Sequence, residues 1–247
     1  MTGKIIVSLI IGYLMCSSVS YAVTNTNSHK SGSQHKQNKQ KRLKITPVTN
    51  EDGVWTVNAE SGIYRVGTYE NIGVGYSTNN GWDFNLSLIN TQILGANKLF
   101  QGDIFFNIAK TFSINKGLSI TVGSQNGFAA VNQHPRLWYN YDYVDTRYNV
   151  IPWLSLHGGV YIANAELTGT VRQVGYITGT EIIFIPHKLS LQLDYVSGHQ
   201  ALSGATANIV ITITPRFQTY IGVYVPEQNS GNEFAGIIGF NLATKNF

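Results

Sequence analysis

From Gly53 onwards, apolar and polar residues alternate with a period of two, and this alternation limits the folds open to the chain. The pattern is clearest in segments 82–88, 118–123, 189–195 and 208–213, where every second side chain is apolar. A period of two places the apolar side chains on one face of a β-strand and the polar ones on the other. Because this region shows no convincing 3.6-residue period, the sequence predicts an all-β fold.

Three features favour an antiparallel membrane barrel over a water-soluble β-sandwich, which would show the same alternation. The alternating segments run for about 9–14 residues, close to the length of a tilted membrane strand and longer than most soluble strands. Short turns alternate with longer loops, and aromatic residues cluster near the strand ends. We expect a single up-and-down transmembrane barrel of about twelve strands over residues 49–247, with ten strands as the alternative.

Tight turns rich in Asn, Gly and Pro separate the expected strands. The first hairpin, expected around Tyr69 to Asn71, has the weakest pattern. An even number of strands places both ends of the barrel in the periplasm. The expected strands lie near 54–68, 71–78, 82–89, 102–112, 118–126, 136–149, 154–164, 171–185, 189–197, 206–214, 217–226 and 234–243.

The first 48 residues are expected to lie outside the barrel. An early lysine, a short apolar run and Ser20-Tyr21-Ala22 predict a secretory signal peptide in residues 1–22. An uncleaved anchor and a lipoprotein cut at Cys16 are the alternatives. Cys16 is the single cysteine of the chain, so cleavage after residue 22 would leave no thiol chemistry.

Residues 23–48 carry six cations and no acid, and we expect a disordered basic tail in the periplasm. Residues 49–247 hold ten Lys and Arg against thirteen Asp and Glu, a net of −3. The basic balance of the whole chain therefore belongs to its N-terminal part, which excludes a nucleic-acid binder. The tail is expected to act as a spacer or as a weak tether to anionic cell-wall polymer.

With these strands in place, the chain resembles the bacterial outer-membrane β-barrel superfamily over about residues 50–247 and the signal. Members usually end in a strand whose last residue is aromatic, and this chain ends in Phe247. The apolar face of the last strand has even numbers, so either a bulge intervenes or the strand stops near Ala243. The run from Tyr195-Val196-Ser197-Gly198 through Val223-Tyr224-Val225-Pro226-Glu227 looks like barrels of unassigned function. The resemblance implies the outer membrane of a Gram-negative bacterium, with its lipid and the barrel assembly machinery as partners.

If the apolar face contacts lipid, the polar face lines the lumen, the space inside the barrel. His157, Glu181, Gln192 and Asp194 are expected to converge there. A two-residue turn near His187 would pair Glu181 with Asp194, and a four-residue turn would pair it with Gln192. Such a cluster suits acid–base work or cation binding, or serves only as an internal polar network. The other residues expected in the lumen are Asp83, Asp103, Asn140 and Asp142.

The mixed polarity of this lumen predicts passage of small solutes through a narrow barrel. The first alternative is a structural or surface-interaction barrel with a plugged lumen. The second is an outer-membrane hydrolase, which is disfavoured because His199 and Ser203 share a loop without a triad partner. No cofactor is expected, and no metal-binding spacing or phosphate loop is recognised.

Overall fold

The computed structural model describes residues 53–94, 102–129, 138–169, 171–198, 203–228 and 230–245. These residues form twelve antiparallel strands, each paired with the next, and the last strand pairs with the first to close a barrel. The predicted up-and-down architecture is confirmed, with twelve strands and not ten. The strands are β1 (Val54–Tyr64), β2 (Gly67–Ser77), β3 (Trp82–Leu94), β4 (Asp103–Ser113), β5 (Leu118–Ala129), β6 (Trp138–Ile151), β7 (Leu154–Ala163), β8 (Gln173–Ile185), β9 (Leu189–Val196), β10 (Gly204–Thr214), β11 (Phe217–Pro226) and β12 (Ala235–Ala243).

The period-two pattern separates an inner face from an outer face on each strand. In β10, Asn208 and Val210 are buried, whereas Ile209 and Ile211 are 45% and 42% exposed. Directly paired residues of antiparallel neighbours point to the same side of the sheet. Once the inner face of one strand is known, the register therefore identifies the inner face of every other strand. The outer face is a band of exposed large apolar side chains, which is stable in lipid and not in water.

The two ends of the barrel differ in their connections. Tight turns follow β2, β4, β6, β8 and β10, and we call this the turn end; it also carries the first residues of β1 and the last of β12. The opposite end, the loop end, carries the longer connections after β3, β5, β7, β9 and β11.

The first hairpin differs from its prediction. Tyr64 pairs with Gly67, so the turn is the two residues Arg65 and Val66 at the loop end. The predicted turn around Tyr69 to Asn71 was wrong, because both of these residues are buried inside β2. A turn there would expose groups that the closed barrel buries.

A short helix, α1 (Ala165–Thr168), follows β7 within a segment that was predicted to be a loop. The side chain of Asn164 caps its first turn by accepting from the backbone N–H of Leu167, and Gly169 ends it in a left-handed conformation with φ of 72°. Leu167 is 2% exposed and packs into the interior at the loop end. None of the helices within the described ranges has the length and hydrophobicity of a membrane-crossing helix.

The last strand stops at Ala243, which was one of the two options that the sequence left open. The next residue, Thr244, donates its backbone N–H to the carbonyl of Trp55 at 2.9 Å. Phe247, the signal peptide and the basic tail lie outside the described residues.

Candidate functional site

The orientation of β6 decides which residues line the lumen. On β5, Gly123 and Gln125 are buried and face inward. They pair directly with Tyr143 and Tyr141, so the odd-numbered side chains of β6 point into the barrel. Tyr141 is 1% exposed, in keeping with an inward position.

Asn140 and Asp142 consequently lie on the outer face of the barrel. They pair with Asn126 and Ser124, which alternate with the buried residues of β5. The prediction that Asn140 and Asp142 line the lumen was wrong. Both faces of β6 mix aromatic and polar residues, so the pattern of β6 alone does not show which face lines the lumen. The pairing of β6 with the buried glycines of β5 does show it.

A cluster of ionisable side chains lies on the inner face of β6 to β9. His157 Nε2 is 2.8 Å from Asp194 Oδ1, and its Nδ1 is 3.5 Å from Asp145 Oδ1. Only the imidazolium form of the ring carries a proton towards both carboxylates. We call the set the charged layer, and it comprises Asp145, Arg147, His157, Glu181, Gln192 and Asp194.

The second half of the charged layer is an ion pair between Arg147 and Glu181. Glu181 lies directly opposite Gln192, which is the pairing expected for a four-residue turn. The turn itself has the three residues 186–188, and a bulge between Ile183 and Ile185 accounts for the difference. All four residues of the predicted cluster therefore border one small cavity of about 20 Å³, which has room for about one water molecule.

Asp145 and Arg147 were missed by sequence reasoning. Both are odd-numbered residues of β6, whereas the prediction placed the even-numbered Asn140 and Asp142 in the lumen. A signal was present, because an arginine in mid-strand is costly on a lipid-facing side and so favours the lumen.

Gly179 makes the contact between His157 and Asp194 possible. In the register, Gly179 pairs with His157 on one side and with Asp194 on the other. A Cβ built on Gly179 would overlap the histidine ring and the aspartate carboxyl. A side chain of β7 thus reaches β9 by crossing the bare backbone of β8.

The same arrangement recurs elsewhere in the wall. Tyr220 on β11 crosses Gly239 on β12, and its hydroxyl donates to Glu60 Oε2 on β1 at 2.9 Å. Tyr161 on β7 crosses Gly175 on β8 and donates to a backbone carbonyl just after β9 at 2.6 Å. We call each such contact a glycine bridge. These bridges lay long inward side chains along the wall of the barrel.

An apolar layer lies on the loop-end side of the charged layer. On β7, Tyr161 is four residues nearer the loop end than His157. The rings of Tyr141 and Tyr161 stack with centroids 4.9 Å apart, and Leu167 of α1 belongs to the same cluster. The apolar layer comprises Phe105, Tyr141, Tyr161, Ile177 and Val196, each no more than 4% exposed.

Water therefore reaches the two layers differently. The side chains of Arg147 and Glu181 retain 26% and 24% of their exposure, whereas those of the apolar layer are almost fully covered. The lumen lining is charged and partly exposed towards the turn end, whereas it is apolar and almost fully buried at the apolar layer.

The remaining predicted lumen residues are separated from this cluster. Asp83 pairs with the buried Ala109 close to the turn end, and Asp103 pairs with the buried Ile89 near the loop end. Asp103 accepts a hydrogen bond from Asn90 Nδ2 at 3.4 Å. Both carboxyls face the lumen, but neither belongs to the charged layer.

Glu60 is a further inward carboxyl that sequence reasoning missed, because the first strand had a weak pattern. It is 2% exposed, and besides Tyr220 it accepts from Asn71 Nδ2 at 3.3 Å. Ser203, considered for hydrolysis, is buried and donates to the backbone carbonyl of Ser197 at 3.2 Å, while His199 lies outside the described residues. Within the described ranges, no three His, Cys, Asp or Glu side chains are arranged to hold a metal ion.

Solved structures with this fold include bacterial outer-membrane barrels. The KdgM porin is similar with a TM-score of 0.55 and 14% identity, over 76% of this chain and 98% of that chain. The KdgM porin in complex with disordered oligogalacturonate is similar with a TM-score of 0.55 and 13% identity, over the same shares. The NanC porin in a rhombohedral crystal form is similar with a TM-score of 0.53 and 9% identity, over 77% of this chain and all of that chain. No protein-family model matches the chain, and no curated protein matches it.

At these identities the likeness concerns the fold. The described residues of this chain have the closed, antiparallel barrel of outer-membrane proteins.

Proposed function

We propose that the protein is a narrow passive channel of the bacterial outer membrane that prefers small cationic and neutral polar solutes. The observation that carries this proposal is the charge of the lumen. Among the described residues, inward carboxyls outnumber inward cations, and a pore lined by one sign of charge favours ions of the opposite sign. The inward ionisable residues are Glu60, Asp83, Asp103, Asp145, Glu181 and Asp194 against Arg147 and His157.

The pairing of the two cations strengthens this charge argument. Arg147 is bound to Glu181, and His157 lies between Asp145 and Asp194. The cations are thus matched by carboxylates within the charged layer. The carboxyls elsewhere in the lumen, Glu60, Asp83 and Asp103, face no excess of inward cations among the described residues.

The glycine bridges support an open channel because they hold long side chains against the wall and away from the centre of the lumen. Buried polar groups without a hydrogen-bond partner among the described residues also support a channel. The amide of Gln125 and the hydroxyl of Tyr141 form no hydrogen bond with other described residues. Groups of this kind are expected to be met by water or by a polar solute.

The carboxyl-rich lumen also suggests that this barrel passes solutes of a different charge from the ligand of one structural neighbour. That porin was solved with oligogalacturonate, an oligomer of a sugar acid. A lumen rich in carboxyls would repel such an anion. We therefore place the solutes of this barrel in a different charge class.

A plugged barrel that acts through its loops is the second candidate. The buried apolar layer favours it, because Tyr141 and Tyr161 leave almost no exposed surface at that level. In this case the charged layer would only satisfy polar groups inside a closed barrel.

The test is ion selectivity of the refolded mature protein in planar bilayers under a KCl gradient. The reversal potential of the wild type is expected to show cation preference. Glu181→Gln should shift the reversal potential towards anions, since the change removes one negative charge from the lumen beside Arg147. Glu70→Gln is the matched control, because Glu70 lies on the outer face, where it accepts from Ser61 Oγ at 2.5 Å.

An anion-selective wild type, or equal shifts from Glu181→Gln and Glu70→Gln, would contradict the charge argument. A folded wild type without conductance would support the plugged barrel.

A further inference from the structure

Four polar residues form a hydrogen-bonded patch on the outer face of β5 and β6. Asp142 Oδ1 accepts from Ser124 Oγ at 2.5 Å and from Asn140 Nδ2 at 3.2 Å. Asn140 Nδ2 also donates to Asn126 Oδ1 at 3.0 Å, and Asn126 Nδ2 donates to Ser124 Oγ at 2.9 Å. We call Ser124, Asn126, Asn140 and Asp142 the outer polar patch.

The outer polar patch lies within the apolar band of the outer face. On β6, the exposed aromatic residues Trp138 and Tyr148 share its face and mark the two interfaces. Asp142 is four residues from Trp138. On a tilted strand this separation is roughly 10 Å of depth. A carboxyl at this depth is costly when it faces hydrocarbon, and ionisable groups in membranes normally face protein or water.

Among the residues that the structure describes, the hydrogen-bonding capacity of the patch is not used up. Asp142 Oδ2 and Asn140 Oδ1 accept no hydrogen bond from the described part of the chain. Asn126 Nδ2 has two N–H groups, and one hydrogen bond from it is seen. Acyl chains cannot donate or accept, so lipid would leave these groups unsatisfied. The patch thus offers one spare N–H donor and two spare acceptor oxygens, so a second copy of the patch can complement it in part.

An apolar groove of about 820 Å³ borders the patch towards the turn end. Its lining includes Val122, Val144 and Val160, which follow one another across three strands in direct register. Ser124 and Asp142 belong to the same lining. One surface thus combines a self-complementary polar patch with a concave apolar surface that larger side chains can fill.

We propose that this face binds a second copy of the chain within the membrane. A twofold axis along the membrane normal, passing between β5 and β6, keeps each residue at its own depth in both copies. Asn126 of one copy then lies opposite Asn140 of the other, and the spare N–H reaches the free carbonyl oxygen. The contact is isologous, so both copies satisfy the same groups. Interhelical contacts show that polar side chains can join membrane proteins in this way. The proposal is independent of channel function.

The absence of cysteine after residue 22 allows a direct proximity test. Phe128→Cys places one thiol on the same face, since Phe128 pairs with Trp138 beyond the patch. Ile221→Cys is the matched control, because Ile221 is 57% exposed on β11, across the barrel. After the full mature chain is refolded in lipid vesicles, a short thiol cross-linker should give dimers with Phe128→Cys and not with Ile221→Cys. Equal cross-linking of both variants, or of neither, would overturn the proposal.

The role of the polar patch is tested by sedimentation in detergent micelles. Asn126→Leu should weaken the dimer roughly tenfold, which corresponds to the loss of about one membrane hydrogen bond from each copy. Thr219→Leu on the outer face of β11 should leave it unchanged. Folding of each variant is checked by the heat-dependent shift of a folded barrel on a gel. If Asn126→Leu does not fold, the proposal is tested with Asn140→Leu and with the two single-cysteine variants, Phe128→Cys and Ile221→Cys.

A wild type that sediments as a monomer would overturn the proposal, as would a monomer that retains bound lipid, which would assign the groove to lipid. A folded Asn126→Leu protein that dimerises as tightly as the wild type would also overturn it.

Discussion

Gly239→Ala should destabilise the barrel by disrupting a glycine bridge. Gly239 lies beneath the ring of Tyr220, whose hydroxyl donates to Glu60 at 2.9 Å. A Cβ at this position would overlap the ring and approach the backbone carbonyl of Ala59 to 2.8 Å. The backbone cannot retreat without disturbing the pairing of β12 with β1, so Tyr220 must move away from Glu60.

The cost follows from the groups left behind. Glu60 is 2% exposed and would keep the hydrogen bond that Asn71 Nδ2 donates to it at 3.3 Å, while losing the one from Tyr220. Losing a hydrogen bond to a buried carboxyl costs about 1.5–3 kcal/mol, and forcing the ring off its rotamer adds about 0.5–1.5 kcal/mol. Alanine in place of glycine restricts the unfolded chain and returns about 0.4–1 kcal/mol. The expected net loss is therefore about 1–4 kcal/mol, with a midpoint of roughly 2.5 kcal/mol.

Urea unfolding of the refolded mature protein in lipid vesicles, followed by tryptophan fluorescence, measures this loss. Gly236→Ala is the matched control on the same strand, because a Cβ there would meet no atom within 4 Å. Its free energy of unfolding should stay within about 1 kcal/mol of the wild type. Tyr220→Phe combined with Gly239→Ala should cost less than the sum of the two, since both remove one hydrogen bond. Equal stability of the two alanine variants, or strict additivity in the double variant, would mean that Gly239 does not stabilise the barrel through the contact between Tyr220 and Glu60.

Two further predictions concern the faces of β9 and the basic tail. Leu191→Arg should lower the yield of folded barrel, because a cation in mid-membrane on the outer face costs roughly 2–4 kcal/mol. Gln192→Arg should fold, because residue 192 faces the lumen. Equal yields of the two variants on a heat-shift gel would contradict the face assignment. Deletion of residues 23–45 should abolish any low-salt binding to isolated cell wall, because the deletion removes six cations. Binding by the longer chain should fall at physiological ionic strength, where such charges are screened over about 8 Å. Equal pull-down of the two chains at low salt would reduce the tail to a spacer.

Strands whose two faces differ clearly could be read from the sequence. Predicted strands at 189–197 and 217–226 correspond to Leu189–Val196 and Phe217–Pro226. In both cases alternation marks the strand, and a tight turn with Pro or Lys marks its start. The local pattern is enough to predict these strands, because a strand that is buried on one side shows the alternation within its own sequence.

The charged layer and β6 required information from neighbouring strands. The positions of His157 and Asp194 followed from local alternation, but their contact depends on Gly179 between them. Arg147 was missed because the side that β6 presents is set by its pairing with β5. A tyrosine that covers a glycine on the next strand leaves no mark in the pattern of either strand alone.

The glycine bridges also bear on the shape of the barrel in cross-section. Backbone hydrogen bonds join each strand to its two neighbours, and a ring joined only in this way can flatten into an ellipse. A bond from one strand to the next but one fixes the angle at the strand between them. Such bonds set the curvature at β8, through His157 and Asp194, and at β12, through Tyr220 and Glu60. The bond between Tyr220 and Glu60 spans the seam where β12 meets β1. The junction that closes the barrel is therefore also a place where its curvature is fixed.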